Sequence, residues 1–157
     1  RVQGIAFAGG LGLIGACDIA IAAETAVFAV TEVRIGLVPA VISPYAIRAL
    51  GKRAARRYFL TGERFNVAEA HRLGLIHGFV SEDVLDEFVS EIITSLLLGG
   101  PKAIAESKRL ISELVDDVGE ARMKITAERI ADVRSSMEAN EGMQSFLEKR
   151  EPRWNLK

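Results

Sequence analysis

The sequence predicts an α/β fold in which short buried strands and one apolar helix come first and amphipathic helices follow. Three observations support this prediction. Short apolar segments near the start of the chain end at glycines or polar turns, as buried strands do. Only six of the 41 charged side chains fall in residues 1–51, which indicates a buried layer. In residues 52–157, which hold the other 35, apolar residues recur at helical spacing.

The first elements follow from the glycines and the apolar runs. Residues 2–7 form a short apolar strand that leads into a glycine pair, and residues 10–17 form a small, apolar helix. Such a helix has to be buried, with Cys17 as a small core residue. Residues 18–23 and 26–30 read as two further strands. A strand, a helix and two strands in this order are typical of an α/β core.

Helices dominate the rest of the prediction. Pro44 begins a helix that Gly51 ends, and residues 52–61 form the next one, which ends at Gly62. Asn66 caps a helix over 67–73, a short strand over 77–80 follows, and Ser81 caps a helix over 82–98. The remaining predicted helices are one opened by Pro101, with apolar spacing at Ile104, Ile111, Leu114, Val115 and Val118, and two over 119–139 and 141–149.

These C-terminal helices carry apolar stripes and have no sheet of their own to cover. They have to pack on the strand-bearing part, on one another or on a second subunit, and an oligomer is expected. We therefore divide the chain into a core part, residues 1–80, and a helical oligomerisation region, residues 81–157.

Composition excludes several classes of protein. A single cysteine permits neither an intrachain disulfide nor a cysteine-rich zinc site, and no cluster of metal ligands is evident. The net charge of −1 gives no general electrostatic reason to expect a nucleic acid or an anionic membrane as partner. No basic region precedes the first apolar run, so no signal peptide is predicted and a cytoplasmic location is expected.

Two features could carry chemistry. Ala8, Gly9 and Gly10 lie between a strand and a helix, where free backbone N–H groups would stabilise an oxygen that gains negative charge. The alternative is a glycine turn that only allows tight packing. Glu32 has mostly apolar neighbours, and partial burial would raise its pKa and suit it to proton transfer. The alternative is an exposed glutamate paired with Arg34 or Arg48.

Other polar residues are weaker candidates. His71 and His77 have no partner at a suitable spacing and are expected to be structural. Four basic side chains recur at helical spacing and could meet a phosphate-bearing ligand, although a solvated basic face is the commoner arrangement. They are Lys52, Arg53, Arg56 and Arg57.

A family resemblance covers almost the whole chain. It lies first in residues 6–40, AFAGGLGLIGACDIAIAAETAVFAVTEVRIGLVPA, and then in residues 60–80, LTGERFNVAEAHRLGLIHGFV. These blocks resemble, in order and spacing, the enoyl-CoA hydratase/isomerase (crotonase) family. Residues 36–65 most resemble the bacterial branch that hydrates glutaconyl-type thioesters, such as methylglutaconyl-CoA and isohexenylglutaconyl-CoA. The resemblance implies a spiral of ββα units followed by a helical trimerisation region.

The resemblance also assigns roles to residues. Gly9, with Ala8 beside it, matches the family's second oxyanion-hole residue, and Glu32 matches one of its two catalytic glutamates. The other glutamate falls at Gly12, so this chain departs from the family pattern there. The remaining matches are Gly36, Pro39 and Ala40, which wall the acyl pocket, and Phe146 and Lys149, which help to bind CoA, often across a subunit boundary.

These matches imply a hydratase that adds water across the double bond of an enoyl-CoA. A double-bond isomerase that uses Glu32 alone is the alternative within enzymes, and a non-catalytic oligomeric subunit or fragment is the alternative of another class. The implied partners are an acyl-CoA substrate and further copies of the chain, as a trimer or a dimer of trimers. No covalently bound cofactor, metal, nucleic acid or membrane is implied. The family's N-terminal part, which supplies the first oxyanion N–H, has no counterpart before Arg1.

Overall fold

The computed structural model of the protein describes residues 1–114 and 120–155 and divides the chain into two compact units, Arg1–Glu91 and Ile92–Lys157. The first unit holds the strands and most of the buried side chains. Its elements are β1 (Ile5–Phe7), α1 (Gly9–Ala16), β2 (Ile21–Ala23), β3 (Val27–Ala29), a 3-10 turn (Glu32–Ile35), α2 (Ser43–Thr61), β4 (Phe65–Asn66), α3 (Val67–Arg72) and β5 (Gly78–Val80).

Two small sheets organise this unit. β3 lies between β1 and β4, parallel to β1 and antiparallel to β4, and β2 pairs in parallel with β5. The register of the first pair places Phe7 opposite Ala29. Because β1 and β3 are parallel, the segments that follow them leave from the same edge of the sheet.

Aromatic and aliphatic side chains fill the core between the sheets and the helices. Phe28 of β3 stacks on Phe65 of β4 with ring centroids 5.6 Å apart, and the Tyr58 ring of α2 lies 4.2 Å from that of Phe65. Leu11 and Val30 are fully buried in the same cluster. Burial of this apolar surface fixes α1 and α2 against the strands.

Glycines shape both of these helices. A Cβ atom added at Gly15 of α1 would lie 3.1 Å from the carbonyl oxygen of Tyr45, so the close approach of α1 to α2 favours glycine at this position. α2 is interrupted at Gly51, which has a left-handed φ of 75°. The sequence predicts two helices that meet at this glycine, and the structure confirms the break. The Asn66 cap is also confirmed, since its side chain accepts a hydrogen bond from the Glu69 N–H at 3.0 Å.

The second unit is helical. α4 (Leu85–Leu97) crosses the boundary between the units, and α5 (Pro101–Glu113), α6 (Glu120–Arg134), α7 (Met137–Glu148) and a final 3-10 turn (Arg153–Asn155) follow. The Glu138 carboxylate accepts hydrogen bonds from the N–H groups of Lys102 and Ala103, at 3.1 and 2.8 Å, and so caps α5. Within the described residues no single helix is long and apolar enough to cross a membrane, and Glu82–Leu97 and Pro101–Glu113 pass that test only as a bent pair.

Three local predictions are wrong. Cys17 is exposed just beyond the end of α1 and is not a core residue. The Ser81 side chain forms no capping hydrogen bond to the backbone, because it is hydrogen-bonded to the Asp83 side chain. A 3-10 turn also precedes α4. The predicted helix over 119–139 is two helices, because the Ser136 hydroxyl accepts a hydrogen bond from the Ala139 N–H at 3.1 Å and starts α7. Val115 and Val118 lie outside the described residues.

Candidate active site

The predicted site residues Ala8, Gly9 and Glu32 converge at one edge of the first sheet. Ala8 follows β1 directly, and its N–H donates a hydrogen bond to the Ala29 carbonyl at the end of β3, at 3.0 Å. Glu32 lies three residues beyond that carbonyl and opens the 3-10 turn. The parallel pairing of β1 and β3 therefore positions a helix N-terminus and a carboxylate at the same edge.

The Ala8–Gly9 junction has an unusual backbone. Ala8 adopts φ 46° and ψ −117°, which a non-glycine residue rarely does. Its carbonyl accepts the first bond of the helix, from the Gly12 N–H at 3.2 Å. The N–H groups of Gly9 and Gly10 precede that bond and have no acceptor four residues back in the helix. Strain of this kind is held in place by surrounding structure and is concentrated at functional sites.

Packing does not explain Gly9 and Gly10. A Cβ atom added at either residue would have no atom of the described residues within 4 Å, so the space beside them is open. The alternative of a turn needed only for tight packing therefore finds no support at these two positions. An open space beside unbonded N–H groups is what an anionic oxygen requires.

Glu32 is half-buried, and one of its oxygens is unsatisfied. Oε2 is buried and accepts no hydrogen bond from any described residue. The ion pairs found among those residues do not include one from Glu32 to Arg34 or Arg48, the exposed arrangement considered above. Because a buried acceptor without a donor costs free energy, such an atom in a native fold points to a bound water or ligand, or to a catalytic role.

The chain after Glu32 forms a hydrogen-bonded turn. The Glu32 carbonyl accepts a hydrogen bond from the Leu37 N–H at 3.0 Å, and Gly36 takes the left-handed φ of 75° that this turn needs. Of the predicted acyl-pocket residues, Pro39 is buried whereas Gly36 and Ala40 are exposed. Large apolar side chains in this loop are also exposed, namely Ile35, Leu37, Val38 and Val41. Such a contiguous stretch of exposed apolar residues is typical of a binding surface.

Gly12, unlike Gly9 and Gly10, has no space beside it for a side chain. A Cβ atom at Gly12 would lie 2.2 Å from Cγ2 and 2.7 Å from Cβ of Ile42, which is only 7% exposed. No side chain fits at position 12 unless Ile42 moves. The position where the family resemblance implies a second glutamate is therefore filled by an aliphatic side chain from the start of α2, a contact that sequence reasoning missed.

The remaining predicted residues lie in the second unit. Phe146 is on α7 with 82% of its surface exposed, and Lys149 follows that helix with a left-handed φ of 53°.

Neither histidine joins the site: the His77 ring accepts a hydrogen bond from the Ala20 N–H at 3.1 Å, and the exposed His71 ring lies edge-on to Phe79. No group of three or more metal-ligating side chains occurs in the described part of the chain.

Comparison with known proteins decides the family. A family model described as "Enoyl-CoA hydratase/isomerase" matches residues 1–157. The chain belongs to the enoyl-CoA hydratase/isomerase family. A crystal structure of an enoyl-CoA hydratase from Shewanella pealeana matches 98% of the chain at 47% identity, with a TM-score of 0.92. The predicted crotonase-like α/β fold is thereby confirmed.

Named relatives in this family act on different thioesters. The chain is 33% identical to a carnitinyl-CoA dehydratase of Citrobacter koseri and 30% identical to the mevalonyl-coenzyme A hydratase sidH of Aspergillus fumigatus, over 98% of its length in each case. It spans 60% and 58% of these relatives and 58% of the Shewanella pealeana chain.

Proposed function

We propose that the protein acts on an enoyl-CoA thioester by adding water across its carbon–carbon double bond. The observation that carries the proposal is the edge of the first sheet, where the N–H of Gly9, a residue with open space beside it, lies at the same edge as the carboxylate of Glu32. Membership of the enoyl-CoA hydratase/isomerase family supports it. Both groups are what an enolate mechanism needs.

The Gly9 N–H would stabilise the thioester oxygen. When water adds to the β carbon, the electron pair of the double bond moves toward the thioester and its oxygen becomes an enolate. A backbone N–H that is already fixed in direction stabilises this charge without reorganising during the reaction. The strained Ala8 backbone, anchored to Ala29, fixes that direction.

Glu32 would move the proton. Its unpartnered Oε2 accepts a proton from the water as the new carbon–oxygen bond forms, and the resulting acid returns a proton to the α carbon as the enolate collapses. One carboxylate thus takes both steps. A substrate that brings a carboxylate of its own, as glutaconyl-type thioesters do, would supply the group that Gly12 lacks.

A second candidate function follows from Gly12 and Ile42. Gly12 has no side chain that could hold a water, and Ile42 fills the space beside it. Glu32 alone suffices to remove a proton from C2 of a 3-enoyl thioester and deliver it to C4, with the enolate held at Gly9 as before. A double-bond isomerase therefore shares every residue of the proposed mechanism.

The exposed apolar side chains of the second unit support a homo-oligomer. Met137, Phe146 and Leu147 of α7 are 85%, 82% and 79% exposed. We propose that these helices assemble copies of the chain into a trimer or a dimer of trimers, with Phe146 and Lys149 contributing to CoA binding there.

Product analysis tests the proposal. The full-length protein is incubated separately with a 2-enoyl-CoA and a 3-enoyl-CoA. The products are separated by chromatography and identified by mass and by the ultraviolet absorption of the conjugated 2-enoyl thioester. A 3-hydroxyacyl product from the 2-enoyl thioester supports hydration, whereas a 2-enoyl product from the 3-enoyl thioester supports isomerisation. Absence of both products across short, branched and carboxylated acyl chains would favour the non-catalytic alternative.

A further inference from the structure

A cavity separate from the edge formed by Gly9 and Glu32 lies in the first unit, at the break in α2. It has a volume of about 800 Å³ and is bounded by both sides of the Gly51 break and by one face of α3. It shares no lining residue with the edge formed by Gly9 and Glu32. We call it the basic cavity. Its lining residues with charged groups are Lys52, Arg53, Arg56, Arg57, Glu69 and Arg72.

The charge of the basic cavity is strongly positive in a chain whose net charge is −1. Five cationic side chains face one carboxylate, that of Glu69. This carboxylate is already occupied, since Arg72 donates to it from Nε and Nη2 at 2.6 and 2.7 Å and the Tyr58 hydroxyl donates at 3.0 Å. These bonds, those of Arg72 first, lower the pKa of Glu69 to about 2. Glu69 therefore does not neutralise the other cations.

Three of the cations have no carboxylate partner among the residues that the structure describes. Lys52, Arg53 and Arg56 are exposed and form no ion pair with any residue that the structure describes. Like charges so close together repel one another, and an anion between them would relieve that repulsion.

The other two cations are held in place. Arg57 donates to Glu63 from Nε and Nη2, at 2.7 and 3.3 Å, and lies 5.3 Å from the centre of the Tyr58 ring. Arg72 is anchored on Glu69 in the same manner. A guanidinium carries five N–H donors, so each keeps donors free after these bonds. Side chains that are already ordered lose less entropy when a ligand binds.

We propose that the basic cavity binds a small molecule that carries a diphosphate group. Guanidinium groups bind phosphate oxygens in pairs, and several of them around one cavity suit two linked phosphates better than one carboxylate. The volume lies in the usual range for small-molecule sites. Leu50, Leu73 and the Tyr58 ring give the cavity an apolar floor for the organic part of such a ligand.

Calorimetric titration of the full-length protein with inorganic pyrophosphate tests this site. We expect saturable binding that weakens as sodium chloride is raised. The double variant Arg53→Gln/Arg56→Gln should lose about tenfold or more in affinity, because two exposed charged donors are removed without disturbing the core. Arg48→Gln is the matched control: Arg48 is an exposed arginine of the same helix that does not line the cavity.

Further arms identify the source of the diphosphate. ADP and coenzyme A are titrated in competition with pyrophosphate. Displacement by coenzyme A, with weaker coenzyme A binding in the double variant, assigns the site to the diphosphate of the substrate; displacement by ADP alone assigns it to a separate nucleotide. The enoyl-CoA assay run in parallel keeps a failure of the proposed enzymatic function apart from a failure of this site.

Three results would overturn the proposal. One is the absence of saturable pyrophosphate binding at low salt. Another is an equal loss of affinity in Arg48→Gln, which would show a general electrostatic effect. The third is tighter binding of an acidic peptide than of pyrophosphate at matched ionic strength, which would show that the surface contacts another protein.

Discussion

Glu32 and Glu141 belong to different units and have opposite environments. Oε2 of Glu32 is buried and accepts no hydrogen bond from a described residue. The Glu141 carboxylate accepts two from the Arg150 guanidinium, at 2.6 and 3.1 Å, and one from the Arg153 N–H at 3.0 Å. These bonds, those of Arg150 first, lower the pKa of Glu141 to about 2.

The difference separates a structural carboxylate from a reactive one. A carboxylate whose oxygens are all bonded stays ionised and ties chain segments together, as Glu141 ties α7 to the residues after it. A carboxylate with a vacant buried oxygen gains little stability from the fold but can accept a proton from water or substrate. A similar contrast holds for the helix N-termini, since Glu138 accepts hydrogen bonds from the N–H groups of Lys102 and Ala103 in α5 whereas the space beside Gly9 at the start of α1 is open.

The largest expected effect comes from Glu32→Gln. The amide cannot carry the proton, so turnover of the best enoyl-CoA substrate should fall by about 10²–10⁴-fold. The melting temperature should stay the same or rise, because a buried charge without a partner is removed. Steady-state kinetics and thermal unfolding of the same preparation measure both. Glu24→Gln, at an exposed glutamate of the first unit, is the control and should change neither.

Near-normal turnover in Glu32→Gln would remove Glu32 from the mechanism. A large drop in melting temperature would contradict the claim that Glu32, unlike Glu141, has no stabilising partner. It would show that Glu32 forms a hydrogen bond or ion pair in solution that stabilises the fold.

The sequence predicts the strands and turns on which Gly9 and Glu32 lie, because local rules determine those elements. Gly9 and Glu32 each follow a short apolar strand, and the strand order brings their segments together. The Asn66 cap and the Gly51 break follow equally from single-residue preferences. The start of α7 at Ser136 is missed because Val133 and Met137 keep helical spacing across the break. Ile42 beside Gly12 is missed because no local pattern encodes a contact between residues 30 positions apart.

The next effect compares two glycines of α1, one with no space for a Cβ atom and one with open space beside it. Gly12→Ala should destabilise the protein by about 1–3 kcal/mol, because its Cβ would overlap Ile42. Gly10→Ala, where the added atom meets nothing within 4 Å, is the matched control and should be neutral or stabilising by up to about 1 kcal/mol. Urea unfolding measures the difference.

Ile42 provides a direct check on that explanation. In the double variant Gly12→Ala/Ile42→Ala the new methyl group enters space that Ile42 has vacated. The loss of stability should therefore be smaller than the sum of the two single losses, by about 0.5–3 kcal/mol. Strictly additive losses would mean that the overlap at Gly12 is not with Ile42.

A smaller effect is expected at the N-terminus of α7 in the second unit, where the polar groups make their hydrogen bonds. Ser136→Ala removes the side chain that accepts from Ala139 N–H, and should cost about 1 kcal/mol. Ser112→Ala is the control, since that hydroxyl on α5 donates only to a carbonyl of its own helix, at Lys108. Chemical denaturation of the second unit, followed by the fluorescence of Trp154, reports the change locally. Equal effects of the two variants would contradict the capping role.

The smallest effect is a pH dependence in the second unit. The folded-state pKa of Glu141 is about 2, below its ordinary value of 4.5, so the ionised form is favoured by folding. Its stabilising contribution is complete above the ordinary pKa and disappears as the pH falls toward 2. The melting temperature of Glu141→Gln should therefore lie below that of the wild type at pH 7 and converge with it between about pH 4.5 and pH 2. A constant gap between Glu141→Gln and the wild type across this range would mean that Glu141 stabilises the unit through its size and not its charge.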